Sequence, residues 1–377
     1  MKVTIIGGGI AGLTMALAFE KVDINYHLFE KASVLNEIGA GIWVSSNAMQ
    51  VYAWLGIADQ IQAKGLSLEQ IEITDQRFKV LQQTNQNVFV KKLTYAGTAI
   101  HRSVLQRILF DQVPREKIEL NHEASEFVQK DNGKTILQFT NGTSITSDAI
   151  VGADGINSPI RNQISPNSTM RDSGQVCWRG ISNIEIPVEM RNKSAECWGD
   201  QIRFGFSPIG KNQVYWFAVA KNKRVKENLS KPEIIALFSN FHPFVHRLIE
   251  NTEEEAIIFR PLFDLKPMRK WHKGRIILVG DAAHATTPNL GQGAAQGIED
   301  AFYLSQYLKR ASSIEEAFIT FEKNRRPKVN SVVSTSWSMG KLAHIKYGQK
   351  LRNTALRITP GIVMEKRMLQ LYTLKPL

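Results

Sequence analysis

Residues Gly274–Ala301 read GRIILVGDAAHATTPNLGQGAAQGIEDA and carry, in order, the signals of a strand, a tight turn, a loop and a helix start. The apolar run 276–279 predicts a strand that is covered on both faces of its sheet. Asp281 follows at the carboxyl end of that strand, where open α/β sheets bind their ligands. Gly291 and Gly293 allow backbone amides at a helix start to approach a ligand closely, with the positive end of the helix dipole behind them. The segment therefore predicts a site for a polar, partly anionic cofactor.

The amino-terminal segment predicts a dinucleotide-binding turn. Residues 3–12, VTIIGGGIAG, place a strand before the pattern Gly7-x-Gly9-x-x-Gly12, and a helix pattern follows it. A second predicted strand ends in Glu30, 18 residues beyond Gly12. A carboxylate at that place accepts a hydrogen bond from a ribose hydroxyl and repels a 2′-phosphate. The nucleotide bound at this turn is therefore expected to be FAD or NAD, not NADP.

Two further segments complete a set of motifs. Residues 148–161, DAIVGADGINSPIR, hold an apolar run followed by Asp154 and Gly155, and residues 101–105, HRSVL, place Arg102 at the start of a predicted helix. In order and spacing, the motifs resemble those of the single-component FAD-dependent aromatic hydroxylases. These are the flavoprotein monooxygenases typified by para-hydroxybenzoate hydroxylase. The similarity runs from residue 1 to about residue 330.

The resemblance implies which residues contact FAD. It places Arg102 by the FAD phosphates and Asp154 by the FAD and the nicotinamide nucleotide. It assigns Asp281 to the ribityl chain and residues 288–293 to the flavin ring. The implied FAD-binding residues are Gly7, Gly9, Ile10, Ala11, Gly12, Glu30, Arg102, Asp154, Gly155, Gly280, Asp281, Pro288, Gly291, Gln292 and Gly293.

The resemblance also implies the reaction. NADPH or NADH docks transiently and passes a hydride to FAD, O2 adds to give a flavin C4a-hydroperoxide, and a small planar aromatic or heteroaromatic substrate is hydroxylated. Backbone amides near residues 291–293 are expected to stabilise the negative charge of the reduced flavin. Only one G-x-G-x-x-G pattern is present, which disfavours flavin reductases with two dinucleotide-binding domains.

The predicted fold class is α/β, with a Rossmann-type FAD-binding domain interleaved with a β-sheet-rich substrate domain and followed by C-terminal helices. We assign residues 1–67, 98–175 and 268–330 to the FAD-binding domain, 68–97 and 176–267 to the substrate domain, and 331–377 to the C-terminal helical segment. Alternating aromatic-rich segments in 176–220 predict antiparallel strands, with a hairpin turn at 210–212. The polar stretch 82–87 reads as a solvated loop or strand edge. Pro327 is expected to end a helix that begins at Ile314.

Arg203 and Tyr215 are the candidate catalytic residues, because they lie on the two strands of the predicted hairpin. An arginine pairs with a carboxylate or an enolate-like oxygen, and a tyrosine orients or deprotonates a ring hydroxyl. A register shift of one residue would turn these side chains to the other face, and Pro208 is a candidate bulge. Weaker candidates are Arg179, Trp216 and Phe217. His284 is expected to pack against its loop rather than to act in catalysis.

Composition indicates a soluble, cytoplasmic globular protein. The 377 residues are 43% hydrophobic and 22% charged, and no signal peptide or membrane-spanning run is recognised. Cys177 and Cys197 make neither a disulfide framework nor a zinc site, and no metal site is expected.

The net charge is +12, and the last 47 residues hold eight basic residues and one acidic residue. We interpret this tail as a solvated helical face; no nucleic-acid module accompanies it. The chain is expected to be a monomer or homodimer.

Three alternatives remain open at this stage. The first is a flavin-dependent epoxidase or hydroxylase of an isoprenoid or quinone at a membrane surface, which the basic tail favours slightly. The second is a flavin enzyme that reduces or halogenates; the absence of a Trp-x-Trp-x-Ile-Pro segment speaks against halogenation. The third is a non-catalytic flavin-binding sensor. The motifs leave the identity of the substrate open.

Overall fold

The computed structural model describes residues 1–34, 40–225 and 228–377. The chain forms an α/β fold whose first sheet has the strand order β18-β19-β12-β1-β2-β8, parallel except for β18 at one edge. Its strands are β1 (Lys2–Ile6), β2 (Asn25–Phe29), β8 (Ile118–Glu119), β12 (Ala149–Gly152), β18 (His272–Lys273) and β19 (Ile276–Leu278). The three central strands β1, β12 and β19 carry the three predicted motif turns. All three turns therefore emerge at the same carboxyl edge of the sheet.

Helix α1 packs on this sheet and helix α10 packs closely on α1, because small residues line the contact between the two helices. Helix α1 (Ile10–Lys21) follows β1, and helix α10 (Gly293–Arg310) follows the 281–292 loop. A Cβ on Gly297 of α10 would lie 3.1 Å from the Cβ of Ala11 and 3.2 Å from the Cα of Gly280. The absence of side chains at these glycines thus lets α1, α10 and the turn after β19 meet closely.

The second sheet is mostly antiparallel, with the strand order β17-β13-β16-β15-β14-β5-β6, and only its pair β14–β5 is parallel in the described part of the chain. Its strands are β5 (Gln70–Asp75), β6 (Val80–Asn85), β13 (Met170–Asn183), β14 (Lys193–Trp198), β15 (Ile202–Gly210), β16 (Gln213–Lys221) and β17 (Ile258–Leu265). The predicted hairpin between β15 and β16 is confirmed, and its register shifts between Pro208 and Gly210.

One face of the second sheet is apolar, and the other faces the first sheet. Ile202, Phe204 and Phe206 of β15 belong to a buried cluster with side chains of helices α7 (Lys231–Leu237) and α8 (Pro243–Glu250). Because side chains alternate along a strand, Arg203 and Ser207 lie on the opposite face. That face looks towards the motif turns of the first sheet.

The remaining elements frame these two sheets. The remaining strands are β3 (Gly41–Val44), β4 (Leu66–Ser67), β7 (Thr98–His101), β9 (Ala124–Gln129), β10 (Thr135–Phe139) and β11 (Ser144–Ser147). The remaining helices are α2 (Ser46–Leu55), α3 (Ala58–Lys64), α4 (Asn87–Leu93), α5 (Arg102–Gln112), α6 (Pro159–Ile164), α9 (Asp281–His284), α11 (Ile314–Ala343), α12 (Gln349–Ile358) and α13 (Gly361–Tyr372). Short 3₁₀ turns lie at 115–117, 188–190, 254–256 and 288–290. Within the described ranges, no helix has the length and apolar character needed to cross a membrane.

The expectation that Pro327 ends its helix is wrong, because α11 continues from Ile314 to Ala343 with Pro327 inside it. Proline removes one backbone donor and crowds the preceding turn, which costs a helix about 3 kcal/mol when nothing offsets it. Here burial offsets that cost: Val329, Val332 and Val333, directly after the proline, are all buried. Tertiary packing therefore overrides the local signal.

The polar stretch 82–87 lies on the edge strand β6 and runs into the start of α4, so the strand-edge alternative is confirmed and the loop alternative is wrong. Gln82 is 7% exposed and Gln86 is fully buried. Helices α12 and α13 both pack against β6, so the C-terminal segment covers the sheet edge that the polar sequence suggested was open to water.

Candidate active site

Three turns of the first sheet converge at its carboxyl edge. They follow β1, β12 and β19 and contain Gly7, Asp154 and Gly280 respectively. A Cβ on Gly7 would lie 2.4 Å from the carbonyl oxygen of Ala153, so the first two turns are in direct contact. Gly280 has φ +58°, a conformation that side chains disfavour, and it lies directly before α9.

Glu30 lies at the end of β2 with its carboxylate turned towards the glycine turn. The Gly8 amide donates a hydrogen bond to Glu30 Oε2 at 2.5 Å, and the Ala32 amide donates to Oε1 at 2.9 Å. A Cβ on Gly9 would meet no protein atom within 4 Å. Protein packing therefore gives no reason for a glycine at residue 9, whereas the close approach of a phosphate to the start of α1 does.

Asp154 is a buried carboxylate whose hydrogen bonding is incomplete. Its Oδ2 accepts from the Ile160 amide at 3.3 Å, but within the described residues its Oδ1 has no hydrogen-bond partner. Burial raises the pKa of this carboxyl, and hydrogen bonds from Ser158 and from backbone amides oppose the rise only in part. An unsatisfied buried polar atom is costly, and a ligand hydroxyl or amide placed here would satisfy it.

Asp281 is exposed at the start of α9, beside the start of α10. A Cβ on Gly293 would lie 4.0 Å from Asp281 Oδ1, so the carboxylate and the first turn of α10 border the same space. Pro288 and Gly291 are also exposed there. These four positions form an open polar edge above the sheet.

The amides of residues 291–293 are not equivalent. The Gly291 amide donates to the Pro288 carbonyl at 3.0 Å, so it is used within the turn. The amides at the start of α10 lack carbonyls from a preceding helical turn and can serve a ligand. The Gln292 side chain is buried and turned inward, where its Nε2 donates to Ser45 Oγ at 2.9 Å. Only the backbone of Gln292 can therefore reach a ligand at this edge.

A buried ionic network holds the loop from behind. Asp300 Oδ2 accepts from the Gly280 amide at 2.9 Å and lies 2.6 Å from His284 Nε2, while Asp300 Oδ1 accepts from Arg325 Nε at 2.9 Å. Arg325 Nη1 also donates to Glu299 Oε2 at 2.5 Å. Glu299 and Asp300 are fully buried. The network ties α10, α11 and the turn after β19 into one rigid support, and His284 belongs to that support.

Arg203 connects the second sheet to the same loop. Its side chain is 1% exposed, its Nη1 donates to Glu196 Oε1 at 2.8 Å, and its Nη2 donates to Asn289 Oδ1. Asn289 in turn donates to Thr287 Oγ1 at 2.9 Å and to the Ser336 carbonyl at 2.8 Å. Among the described residues, the Arg203 Nε atom has no acceptor.

Tyr215 lies on the same face of the second sheet and packs on β3, since a Cβ on Gly41 would lie 2.4 Å from the Tyr215 Cβ. Burial raises the pKa of its phenol well above the ordinary value, although the charges of Arg179 and Arg102 act in the opposite direction. The hydroxyl therefore stays protonated and is suited to orient a ligand rather than to remove a proton. Arg102 itself is exposed at the start of α5.

The sequence motifs do not identify several of the residues at this site. Trp43 lies beside Gly291, because a Cβ there would lie 3.4 Å from Trp43 Cδ1. Asn289 sits inside the recognised loop, but only the fold brings it to Arg203. Glu299 and Asp300 could have been noticed as two adjacent acids within a helix whose neighbouring residues Ile298 and Ala301 are apolar. Of the weaker candidates, Phe217 lies over Gly205 on the face that carries Arg203, whereas Trp216 belongs to the apolar cluster on the other face.

The residues present fit FAD. The orphaned Asp154 Oδ1, the open space at Gly9 and the polar edge at Asp281 lie where a dinucleotide would need an acceptor, a close backbone approach and a hydroxyl partner. Across the described ranges, histidine, cysteine, aspartate and glutamate side chains form no cluster that could hold a metal ion. Both cysteines are free and buried.

Comparisons with known proteins agree with FAD as the cofactor. The FAD binding domain family matches residues 1–336. The aurachin C monooxygenase/isomerase of Stigmatella aurantiaca is 33% identical over 344 residues, which cover 91% of this chain and 89% of that protein. The 2-heptyl-3-hydroxy-4(1H)-quinolone synthase of Pseudomonas aeruginosa is 30% identical over 383 residues, which cover 99% and 98%.

Among solved structures, Klebsiella pneumoniae HpxO in complex with FAD and uric acid superposes with a TM-score of 0.90. The two chains are 24% identical over 99% of this chain and 96% of that one. At this identity the likeness concerns the fold, which is the predicted α/β arrangement of a dinucleotide-binding domain and a sheet-rich domain.

Proposed function

The chain belongs to the single-component FAD-dependent aromatic hydroxylases, and from this premise we propose that it hydroxylates a planar heteroaromatic compound of the quinolone type, with NAD(P)H and O2 as co-substrates. The family membership accounts for FAD as the cofactor. The quinolone class rests on the similarity, over nearly the whole chain, to a quinolone synthase.

FAD, when bound, accepts a hydride from NAD(P)H and activates O2, and the chain supplies position and electrostatics. We assign the pyrophosphate to the start of α1 at Gly9, and a ribose hydroxyl to Glu30. Asp154 Oδ1 accepts a hydrogen bond from the nucleotide. Asp281 binds the polar chain that links the phosphates to the ring system. Amides at the start of α10 would stabilise negative charge on the bound ring system.

We extend the proposal to the remaining implied contacts. Ile10, Ala11 and Gly12 begin α1 and carry the turn around the phosphates. Gly155 has φ +79° and open space around it, which suits the close approach of a nucleotide. Arg102 is exposed at the start of α5 and can neutralise a phosphate. Pro288, Gly291 and the Gln292 and Gly293 backbone form the edge of the ring site.

For the substrate, Tyr215 and Arg203 orient the reacting ring from the second sheet. The protonated Tyr215 hydroxyl donates to a ring oxygen, and the free donor of Arg203, its Nε, reaches the same region. Phe217 offers an apolar surface for a planar ring: its ring would lie 2.1 Å from a Cβ on Gly205, so glycine there leaves room for it. Water-poor packing around these groups strengthens each hydrogen bond.

The observation that carries the proposal is the hydrogen bond from Arg203 to Asn289. It fixes the substrate-facing sheet to the loop that borders the flavin ring site. A ligand held at Tyr215 thereby has a defined position relative to that loop, and position is the main contribution a protein makes to this kind of oxygen transfer.

The test is substrate-stimulated oxidation of NADH and NADPH by the purified FAD-loaded protein. We expect a 2-alkyl-4-quinolone without a 3-hydroxyl group to increase NAD(P)H oxidation, and the product to carry one oxygen atom from isotopically labelled O2. Quinoline and salicylate serve as comparison compounds. An isoprenoid that is epoxidised in place of the quinolone would favour the epoxidase alternative.

Two results would contradict the proposal. Oxidation stimulated by quinolones that yields only hydrogen peroxide would mean that this ring is an effector rather than a substrate. A protein that binds FAD but never oxidises NAD(P)H with any ring compound would indicate a flavin-binding sensor.

A further inference from the structure

The C-terminal helices carry large apolar side chains on their outer surface. Tyr347 is 78% exposed, Leu351 76%, Ile358 74% and Ile362 72%. We call these four residues the outer stripe. Leu351 and Ile358 are seven residues apart on α12, which places them on one side of the helix. Four large apolar side chains exposed within one short segment suggest an interaction site.

Basic side chains flank the outer stripe. Lys346 and Lys350 are exposed beside it on the turn before α12 and on α12, and Lys366 and Arg367 are exposed on α13. Arg357 is also exposed, but its Nη2 lies 3.6 Å from Asp75 Oδ2. Glu365 is the acidic residue of this segment. The surface therefore combines apolar side chains with a concentrated positive charge.

The inner side of α12 is polar, which reverses the usual order of an amphipathic helix on a globular protein. Arg352 is buried, its guanidinium lies 5.0 Å from the ring centroid of Trp198, and its Nη1 donates to the Ala343 carbonyl at 2.9 Å. Gln349 Nε2 donates to Asp200 Oδ1 at 2.6 Å. Polar contacts fix the helix to the protein, so its apolar side is available to something else.

We propose that the outer stripe docks the protein on an anionic phospholipid surface. The apolar side chains would enter the boundary between head groups and acyl chains, and the flanking lysines and arginines would pair with phosphates. A second copy of the chain is a poorer occupant, since a symmetric contact would place the same positive charges against each other. The described helices lie on the membrane and do not cross it, in keeping with their length and composition.

Vesicle co-sedimentation of the FAD-loaded full chain tests this inference. We expect binding to vesicles of phosphatidylglycerol and phosphatidylcholine in equal parts, no binding to pure phosphatidylcholine, and release by high salt. The double variant Leu351→Ser/Ile358→Ser should bind more than tenfold more weakly. The double variant Lys346→Glu/Lys350→Glu should also bind more than tenfold more weakly.

Matched controls separate this surface from general stickiness and charge. Val188 is 73% exposed and Ile319 is 55% exposed, and both lie outside α12 and α13, so Val188→Ser/Ile319→Ser should bind like the wild type. Lys64 and Lys130 are exposed elsewhere, so Lys64→Glu/Lys130→Glu should lose much less affinity than the stripe charge variant. Unchanged FAD content in each variant shows that the fold is retained.

Three outcomes would overturn the proposal. One is wild-type protein that stays in the supernatant with phosphatidylglycerol vesicles. Another is equal binding by the stripe variants and their controls, which would place the lipid contact elsewhere. The third is a wild-type protein that binds no lipid but forms a concentration-dependent dimer in sedimentation velocity. If Leu351→Ser/Ile358→Ser dissociates that dimer, the outer stripe is a contact between copies of the chain.

Discussion

His344 and Asp300 are buried titratable side chains whose pKa values are both lowered, with opposite effects on their charge. For Asp300, burial acts to raise the pKa, but His284 and Arg325 outweigh it and bring the value to about 2, so the carboxylate is charged. For His344, burial and the nearby charge of Arg203 lower the pKa to about 3, so the imidazole is neutral. The charged Asp300 therefore stabilises its positive neighbours, and the neutral His344 adds no further positive charge beside Arg203.

The shift at His344 predicts a loss of stability as the pH falls below its ordinary pKa of 6.5. The unfolded chain then binds a proton at this residue and the folded protein does not, so the free energy of unfolding decreases with falling pH. Between about pH 7 and pH 5.5 the expected contribution is about 1 kcal/mol. Urea unfolding of the FAD-loaded protein at the two pH values measures it.

The variant His344→Gln serves as the comparison, since it retains a donor for the Gly340 carbonyl but does not titrate. Its stability should change less between the two pH values than that of the wild type, by about the same 1 kcal/mol. Equal pH dependence in both proteins would show that folding does not lower the pKa of His344.

At the scale of elements, α10 and α11 act as a clamp on the loop between β19 and α10. Arg325 of α11 joins Glu299 and Asp300 of α10, and Asp300 holds the Gly280 amide. Further along α11, the Ser336 carbonyl accepts a hydrogen bond from the Asn289 side chain. One long helix therefore supports both ends of the 281–292 loop.

Replacement of Arg325 by methionine is expected to lower the free energy of unfolding by about 3 kcal/mol, because two buried carboxylates lose the arginine that bridges them and retain only Lys328 on Glu299 and His284 on Asp300. FAD binding should weaken as well, since the turn at Gly280 loses its support. Neighbouring Arg326 is the matched control: it pairs with Glu322 at 2.6 Å, but its side chain is 36% exposed. Arg326→Met should cost about 1 kcal/mol or less.

Chemical denaturation and FAD titration of both variants check this prediction. Where Arg325→Met does not fold, Arg325→Lys retains one charge and should show a smaller loss in the same direction. Similar losses for Arg325→Met and Arg326→Met would mean that the buried network contributes little beyond an ordinary surface pair.

The sequence predicts those parts of this architecture that are encoded locally. The glycine turn, the turn at Asp281 and the β15–β16 hairpin each follow from a few adjacent residues whose conformational limits are strict. Pro327 shows the opposite case, because burial of side chains distant in sequence sustains the helix across it. Asn289 likewise gains its partner Arg203 only through the packing of two sheets, which no local pattern records.

On the scale of the whole molecule, segments far apart in sequence meet at a single site. Glu30, Asp154 and Asp281 come from three different strand ends of the first sheet. Arg203 joins the second sheet to that site. Helix α11 connects distant parts of the chain: Glu315 near its start pairs with Arg275 at 2.6 Å, and His344, directly after its end, lies beside Arg203. Binding of FAD at such a junction stabilises the folded protein as a whole.

We therefore expect the midpoint of thermal unfolding to depend on FAD concentration. A ligand that binds only the folded state adds about 1.4 kcal/mol of stability for each tenfold increase in its free concentration above the dissociation constant.

Asp281→Ala removes an exposed carboxylate, so the FAD-free variant should unfold at the wild-type temperature. With FAD present, it should unfold at a lower temperature, because a lost charged hydrogen bond weakens binding by about tenfold or more. Exposed Asp131 gives the control Asp131→Ala, which should follow the wild type throughout. Equal midpoints for Asp281→Ala and the wild type at every FAD concentration would remove Asp281 from the cofactor site.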